Sequence, residues 1–416
     1  MNASSGSRRS VNVDRIQQRR HKPDYVLMLL SIFLLVFGLI VVYAISPGLA
    51  AQKHVSDNYY VSKQLIAIGL GGVAFLAAAS LPVAVWKRIE KPLIFTAIGS
   101  AVVVRLFGER VNGAYRWIQI GGLSFQAAEL IKFALLIWLT GFLTARLQSG
   151  ELGDFKKTFK PLIIALGAIV AVVAVLQSDL GSAGVMVAIM AAMVFVVGLP
   201  LKRVLMIGGL ILVGTILLIS SSGYRRSRLS TFLHPAGDCQ NTGYQSCQAL
   251  IAVGSGGMFG LGLGRSVQAY GYLPEAANDS IFAIFAEKFG FVGVTVLLGV
   301  FAAFFARLKS IMERAPNTYS RLLVAGILAW LSTQALINIG AMIGLLPLKG
   351  ITLPFISYGG TSVVFVMAAV GLAFQISRYT SYSTNAATEN TEGTRYDDST
   401  SRRRLRGAYH PSPSGR

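Results

Sequence analysis

One carboxylate sits where a reaction could use it. Asp279 closes the run Leu273-Pro274-Glu275-Ala276-Ala277-Asn278-Asp279 and directly precedes a long apolar stretch. Partial desolvation at the mouth of a helix bundle fits a carboxylate for general-base work. Spacing does not separate this from an N-cap, in which the side chain accepts backbone N–H bonds at a helix start, and the cap is the default reading of the local pattern. Asp179, in Gln177-Ser178-Asp179-Leu180-Gly181, reads first as such a cap. Two further pairs of charges fall inside apolar stretches, where ionisable groups are costly and are functional or paired. Glu129 and Lys132 share one helix face and can pair with each other, so they read equally as a structural pair or as part of a site. Glu287 and Lys288 are adjacent and point in different directions, so at least one needs a partner elsewhere, and a structural ion pair is the leading reading. Gly254, Gly256, Gly257, Gly260, Gly262 and Gly264 form a glycine-rich run. It lets backbone approach a ligand closely, or serves as a re-entrant linker. No strand precedes it and no Lys-Ser/Thr closes it, so it is a poor nucleotide loop. Cys239 and Cys247 either form a disulfide or leave Cys247 as a small apolar helix residue. With 4 His and 2 Cys, a zinc site is not expected.

The elements that must position these residues are membrane helices. Of 416 residues, 13% are charged and 53% hydrophobic, against about 25% charged in soluble domains. Mean hydropathy is +0.59. This excludes an ordinary soluble enzyme and a disordered chain. The net charge of +20 points to nucleic acid in a soluble protein and to topology in a membrane protein. Apolar stretches run over Tyr25–Ser46, Gln64–Trp86, Pro161–Gln177, Leu180–Leu199, Val204–Ser222, Ile281–Ala306, Leu322–Gly344 and Gly359–Ser377. Pro92–Phe107 and Gly122–Ala145 are weaker spans, and counting both gives ten. With the N-terminus inside, 26 of the 38 Lys and Arg fall on the inner side and 10 on the outer. That bias supports ten helices with both termini cytoplasmic and removes the need for nucleic acid as a partner. The expected fold is all-α and polytopic, over residues 25–378, with polar cytoplasmic tails at 1–24 and 379–416. The basic run Arg402–Arg404 with Arg406 is expected to lie on anionic membrane lipid or in solvent. The polar, basic start and 22-residue first apolar stretch do not read as a cleavable signal peptide. A large structured extracytoplasmic loop, residues 223–279, joins helices 7 and 8 and holds a short helix over Tyr244–Val253.

Six outer-face stretches together resemble one family. They are Asn112-Gly113-Ala114-Tyr115-Arg116-Trp117-Ile118, Gln126-Ala127-Ala128-Glu129-Leu130-Ile131-Lys132, Gln177 to Gly181, and Gly243-Tyr244-Gln245 with the glycine run. Leu273 to Asp279 and Leu346-Pro347-Leu348-Lys349-Gly350 through Pro354-Phe355-Ile356-Ser357-Tyr358-Gly359-Gly360-Thr361-Ser362 complete the set. The chain resembles the SEDS (shape, elongation, division and sporulation) family of bacterial cell-wall synthases over about residues 24–378. Leu273–Ala276 and Pro347–Pro354 are more similar to its cell-division member than to its elongation member. Ala127 and Ser178 replace the family's usual prolines, and Ala277-Asn278 its usual His-Thr.

The resemblance implies polymerisation of lipid II into β-1,4 glycan on the outer face of the bacterial cytoplasmic membrane, at the division septum. Asp279 would be the catalytic base. Arg116, Trp117, Gln126, Glu129, Lys132, Asp179, Gln245, Arg265, Glu275, Lys349, Ser357, Tyr358, Gly359 and Gly360 would line the substrate site. Of these, Arg116, Lys132, Arg265 and Lys349 are the cations considered for a diphosphate. No cofactor is required; a divalent cation (Mg or Mn) could assist. Implied partners are a lipid-linked glycan strand, a class B penicillin-binding protein transpeptidase and other divisome proteins. A lipid II flippase or a non-catalytic division scaffold are the alternatives. A flippase predicts charges spread through the membrane depth, whereas these concentrate on the outer side.

Overall fold

The computed structural model describes residues 22–111, 114–120, 123–199, 239–241, 243–348 and 350–380, with Arg19–Arg20 and scattered positions between 206 and 233. The span expected at Val204–Ser222, most of both tails and Lys349 lie outside the described residues.

Helix α1 (Tyr25–Lys53) begins where Asp24 accepts from the Leu27 N–H at 3.0 Å. After it come α2 (Tyr59–Ser80), α3 (Val83–Arg88), α4 (Glu90–Phe107) and α5 (Ala127–Gln148). Next are α6 (Phe155–Leu176) and α7 (Leu180–Val196). The second half contains α8 (Tyr244–Ser255), α9 (Ile281–Glu313), α10 (Thr318–Met342) and α11 (Gly360–Ile376). Among the described residues, α1, α2, α5, α6, α9 and α10 are long and apolar enough to cross a membrane, and α7 and α11 are shorter apolar helices. The chain is an all-α, multi-pass membrane protein. Leu29 and Val36 of α1 and Val73 and Leu76 of α2 are exposed. Helices can present such faces to lipid because their backbone bonds close internally.

Packing fixes the bundle. Helix α11 lies along α2 so closely that a Cβ on Gly371 would stand 2.6 Å from the Phe75 carbonyl oxygen, the small-residue contact expected between membrane helices. One end of the bundle is tied together: Arg307 Nη2 of α9 is 2.5 Å from Asp24, whose N–H donates to Ser377 Oγ at 2.9 Å. Arg19–Arg20 (β1) pairs with Tyr379–Thr380 (β5), bringing the two flanking segments side by side.

Between α4 and α5 the chain forms an antiparallel sheet, β2 (Glu109–Val111), β3 (Ala114–Ile120) and β4 (Leu123–Gln126), in that order. The expected span from Gly122 therefore starts as a strand, and the helix begins only at Ala127. Pairing of Trp117 with Gln126 and Ile118 with Phe125 satisfies backbone groups that a helix start there would leave open.

Two non-helical segments enter the bundle. In α9, Gly290 has φ 63° and breaks the helix. The freed groups meet the glycine-rich run: Phe291 and Val292 N–H donate to Gly257 and Met258 at 2.8 and 3.0 Å, while Leu261 and Gly262 N–H donate to Glu287 and Lys288 at 2.9 and 3.0 Å. A Cβ on Gly290 would lie 2.3 Å from the Gly260 nitrogen. The segment from Gly344 to Gly359 is the second. A Cβ on Gly38, near the middle of α1, would lie 2.6 Å from the Phe355 carbonyl oxygen. The segment thus reaches about half-way along α1 before returning to start α11.

Candidate active site

Asp279 stands at the junction of these segments. It is not an N-cap: Ser280 holds that position on α9 and makes no side-chain cap bond. Ser280 Oγ instead donates to Pro274 O at 2.9 Å and accepts from Gln245 Nε2 of α8 at 3.1 Å. The Leu273–Asp279 run is stitched to the re-entrant segment. Tyr358 N–H donates to Ala277 O at 2.8 Å, and Ser357 Oγ donates to Asn278 O at 2.6 Å. Asn338 Nδ2, one turn from the end of α10, donates to both Asp279 O and Ile351 O at 2.7 Å. Asp279 is half-buried and lines a narrow cleft with Asn338, Met342, Leu348, Gly350 and Ile351.

Arg116 faces the same place from β3. A Cβ built on Gly350 would stand 3.6 Å from Asp279 Oδ2 and 3.7 Å from Arg116 Nη1. Gly350, with φ +65°, keeps that point open between the carboxylate and the guanidinium. Arg116 Nε and Nη2 donate to the carbonyls of Gln177 and Ser178 at 3.2 and 2.5 Å. Those bonds aim the side chain without neutralising its charge. Asp179 caps α7, accepting from Ser182 N–H at 3.0 Å, and takes a longer bond of 3.4 Å from Gln126 Nε2. Gln177 Nε2 is buried without a partner among the described residues.

Glu129 and Lys132 are buried, at 2% and 1% exposure. Lys132 Nζ donates to Glu129 Oε1 and to Gln334 Oε1 of α10, both at 2.8 Å. Gln334 also accepts from Trp330 Nε1 at 2.8 Å and donates to Thr352 O at 3.0 Å. The pair joins α5, α10 and the re-entrant segment, and its charges are spent inside the protein. Glu287 is likewise committed. It accepts from Ser266 Oγ, from Val267 N–H at 2.9 Å and from Gln268 N–H at 3.2 Å, while Lys288 Nζ donates to Leu263 O at 2.7 Å. Both charges anchor the glycine-rich loop.

The other candidates surround this centre. Glu275, with φ 53°, is exposed and accepts from Asn278 Nδ2 at 2.5 Å. Arg265 is exposed on the loop that docks on Glu287. Trp117 is half-buried in β3, and Gly359 and Gly360 open α11. Tyr358 packs edge-on against Tyr60 at 5.3 Å. Cys239 and Cys247 form a disulfide, with Cα atoms 5.7 Å apart, holding the start of α8. An apolar groove of about 400 Å³ lies between α1 and α2, lined by Leu35, Leu39, Leu65 and Phe75 among others. Asn338, Gln334 and Gln177 were not singled out above as site residues. The signal for the first two is polar residues four apart on one face of an apolar span.

Fold and site together define a multi-pass membrane protein with a carboxylate-bearing cleft built by re-entrant segments. The FtsW, RodA and SpoVE family of cell cycle proteins matches residues 25–382, and the chain belongs to that family. It is 38% identical to the probable peptidoglycan glycosyltransferase FtsW of Saccharophagus degradans over 85% of this chain and 92% of that one. It is 35% identical to the stage V sporulation protein E of Bacillus subtilis, over 88% and 99%. A chain from a peptidoglycan synthase complex superposes with a TM-score of 0.69 at 27% identity, covering 86% of this chain and 98% of that one. Thermus thermophilus RodA superposes at 0.63, also 27% identical, over 86% and 97%.

Proposed function

We propose that the chain is a peptidoglycan glycosyltransferase that polymerises lipid II at the outer face of the bacterial cytoplasmic membrane during septal wall synthesis. The observation that carries this reading is a carboxylate and a guanidinium, Asp279 and Arg116, flanking one open point beside Gly350. Asp279 takes the proton from the 4-hydroxyl of the acceptor GlcNAc as that oxygen attacks the anomeric carbon of the lipid-linked donor. The bond from that carbon to the diphosphate breaks, and undecaprenyl diphosphate leaves with the electron pair. One displacement converts an α-linked donor into a β-1,4 bond, so one base and one leaving-group stabiliser suffice. Arg116 supplies the second role, as a fixed fork suited to phosphate oxygens. Among the described residues no three His, Cys, Asp or Glu side chains gather to hold a metal. Mg or Mn needs only one or two carboxylates besides substrate phosphate oxygens, so an assisting ion would be held by the diphosphate together with such a carboxylate.

The apolar groove between α1 and α2 suits an isoprenoid chain, which must stay in lipid while its head group reacts. A class B penicillin-binding protein would cross-link the product, and other divisome proteins would direct it to the septum. The test is polymerisation of labelled lipid II by the purified protein with its transpeptidase. Glycan chains support the proposal. Translocation of lipid II across vesicles without polymer would support the flippase instead.

A further inference from the structure

We propose that Asn338 binds the attacking sugar directly, its Oδ1 accepting a hydrogen bond from a hydroxyl that flanks the nucleophile. The proposal rests on the glycosyl transfer inferred above and names a new contact within it. Asn338 is 2% exposed and lines the cleft with Asp279. Both hydrogens of its amide are committed, to Asp279 O and Ile351 O at 2.7 Å each. That settles which way the amide faces: turned over, its oxygen would meet two carbonyl oxygens and gain nothing. Oδ1 is consequently left buried with no partner among the described residues. The other cleft-lining side chains near it, Ile337, Ala341, Met342, Leu348 and Ile351, have nothing to donate. A buried amide oxygen that stays empty is costly, and a hydroxyl that enters the cleft, displacing any water there, supplies the missing donor.

The donor that fits is on the acceptor sugar. Its 4-hydroxyl must approach Asp279, and the 3- and 6-hydroxyls flank that oxygen on the same ring. Asn338 is bonded to the backbone of Asp279 itself, so base and anchor hold a fixed spacing. A hydroxyl given to Oδ1 would turn the ring so that its neighbour points at the carboxylate, which is the orientation that makes a bound nucleophile reactive.

The test uses the full chain with its transpeptidase and three substrates: lipid II, and analogues whose GlcNAc lacks the 3-hydroxyl or the 6-hydroxyl but keeps the 4-hydroxyl. In the native protein one analogue should lose about tenfold or more in kcat/KM, as sites built to bond a hydroxyl reject its absence. Asn338→Ala should fall by a similar factor on lipid II. It should then lose less than about threefold further on that analogue, because each change removes the same contact. If Asn338→Ala does not fold, Asn338→Ser replaces it, keeping a donor for one carbonyl while removing the amide oxygen. Equal rates on all three substrates by the native protein would overturn the proposal. So would an analogue penalty that persists in full in the variant, which would mean that Oδ1 is met by water and Asn338 only braces the backbone. No polymer from lipid II with the native protein would overturn the glycosyl-transfer reading, and this contact with it.

Discussion

Replacing Lys132 by Met separates a structural charge from a catalytic one. Lys132 and Glu129 are almost wholly buried and 2.8 Å apart. Removing the ammonium leaves the Glu129 carboxylate in the bundle with no described hydrogen-bond partner, because its Oε2 already has none. Breaking such a pair from one side costs about 3–5 kcal/mol, roughly a hundredfold or more in the folded population. Gln334 keeps its bond from Trp330, so the rest of the network survives. Removing both charges should cost far less, since neutral replacements leave no stranded ion. Thermal unfolding in detergent should therefore show a large loss for Lys132→Met and recovery of most of it in Glu129→Gln/Lys132→Met. If the pair only holds α5 against α10, glycan polymerisation returns with the fold in the double variant. A single variant as stable as the native protein would refute the burial argument. A stable but inactive double variant would return Lys132 to the reaction.

Three further outcomes follow from close contacts. Gly371→Ala places a Cβ 2.6 Å from backbone oxygen, so α2 and α11 must part and stability should fall by about 1–3 kcal/mol, seen as a lower unfolding temperature. Gly290→Ala forces a side chain onto φ +63° and into Gly260; proteolysis of the glycine-rich loop should accelerate while the unfolding of α5–α10 contacts changes less. Cys239→Ser/Cys247→Ser opens a bridge between residues eight apart, which should cost about 2 kcal/mol by chain entropy and loosen α8, with its Gln245 contact to Ser280, in hydrogen exchange.

Much of this was legible in the residues. Asp179 is a cap because its spacing to the start of an apolar run is a cap's spacing. Glu287 and Lys288 anchor structure because intramembrane charges need partners, although the partner is backbone of the glycine-rich loop and not each other. Asp279 follows the cap pattern equally well, and the local pattern misleads there: Ser280 can start α9, and the 273–279 run is held by Gln245, Asn338, Ser357 and Tyr358 from distant segments. No spacing rule carries such long-range bonds. The sheet at 109–126 left a signal in Gly121-Gly122 between two alternating stretches, masked by the apolar run that follows. Lys349 lies beside the site in sequence and outside the described residues in space.

The most direct measurement is single-turnover coupling of labelled lipid II by the Asp279→Asn variant, which keeps the shape of the side chain and removes its basicity. General-base catalysis predicts a loss of about 10²–10⁴ in rate with lipid II binding and unfolding temperature near native. Coupling by Asp279→Asn at the native rate would contradict the assignment of Asp279 as the base.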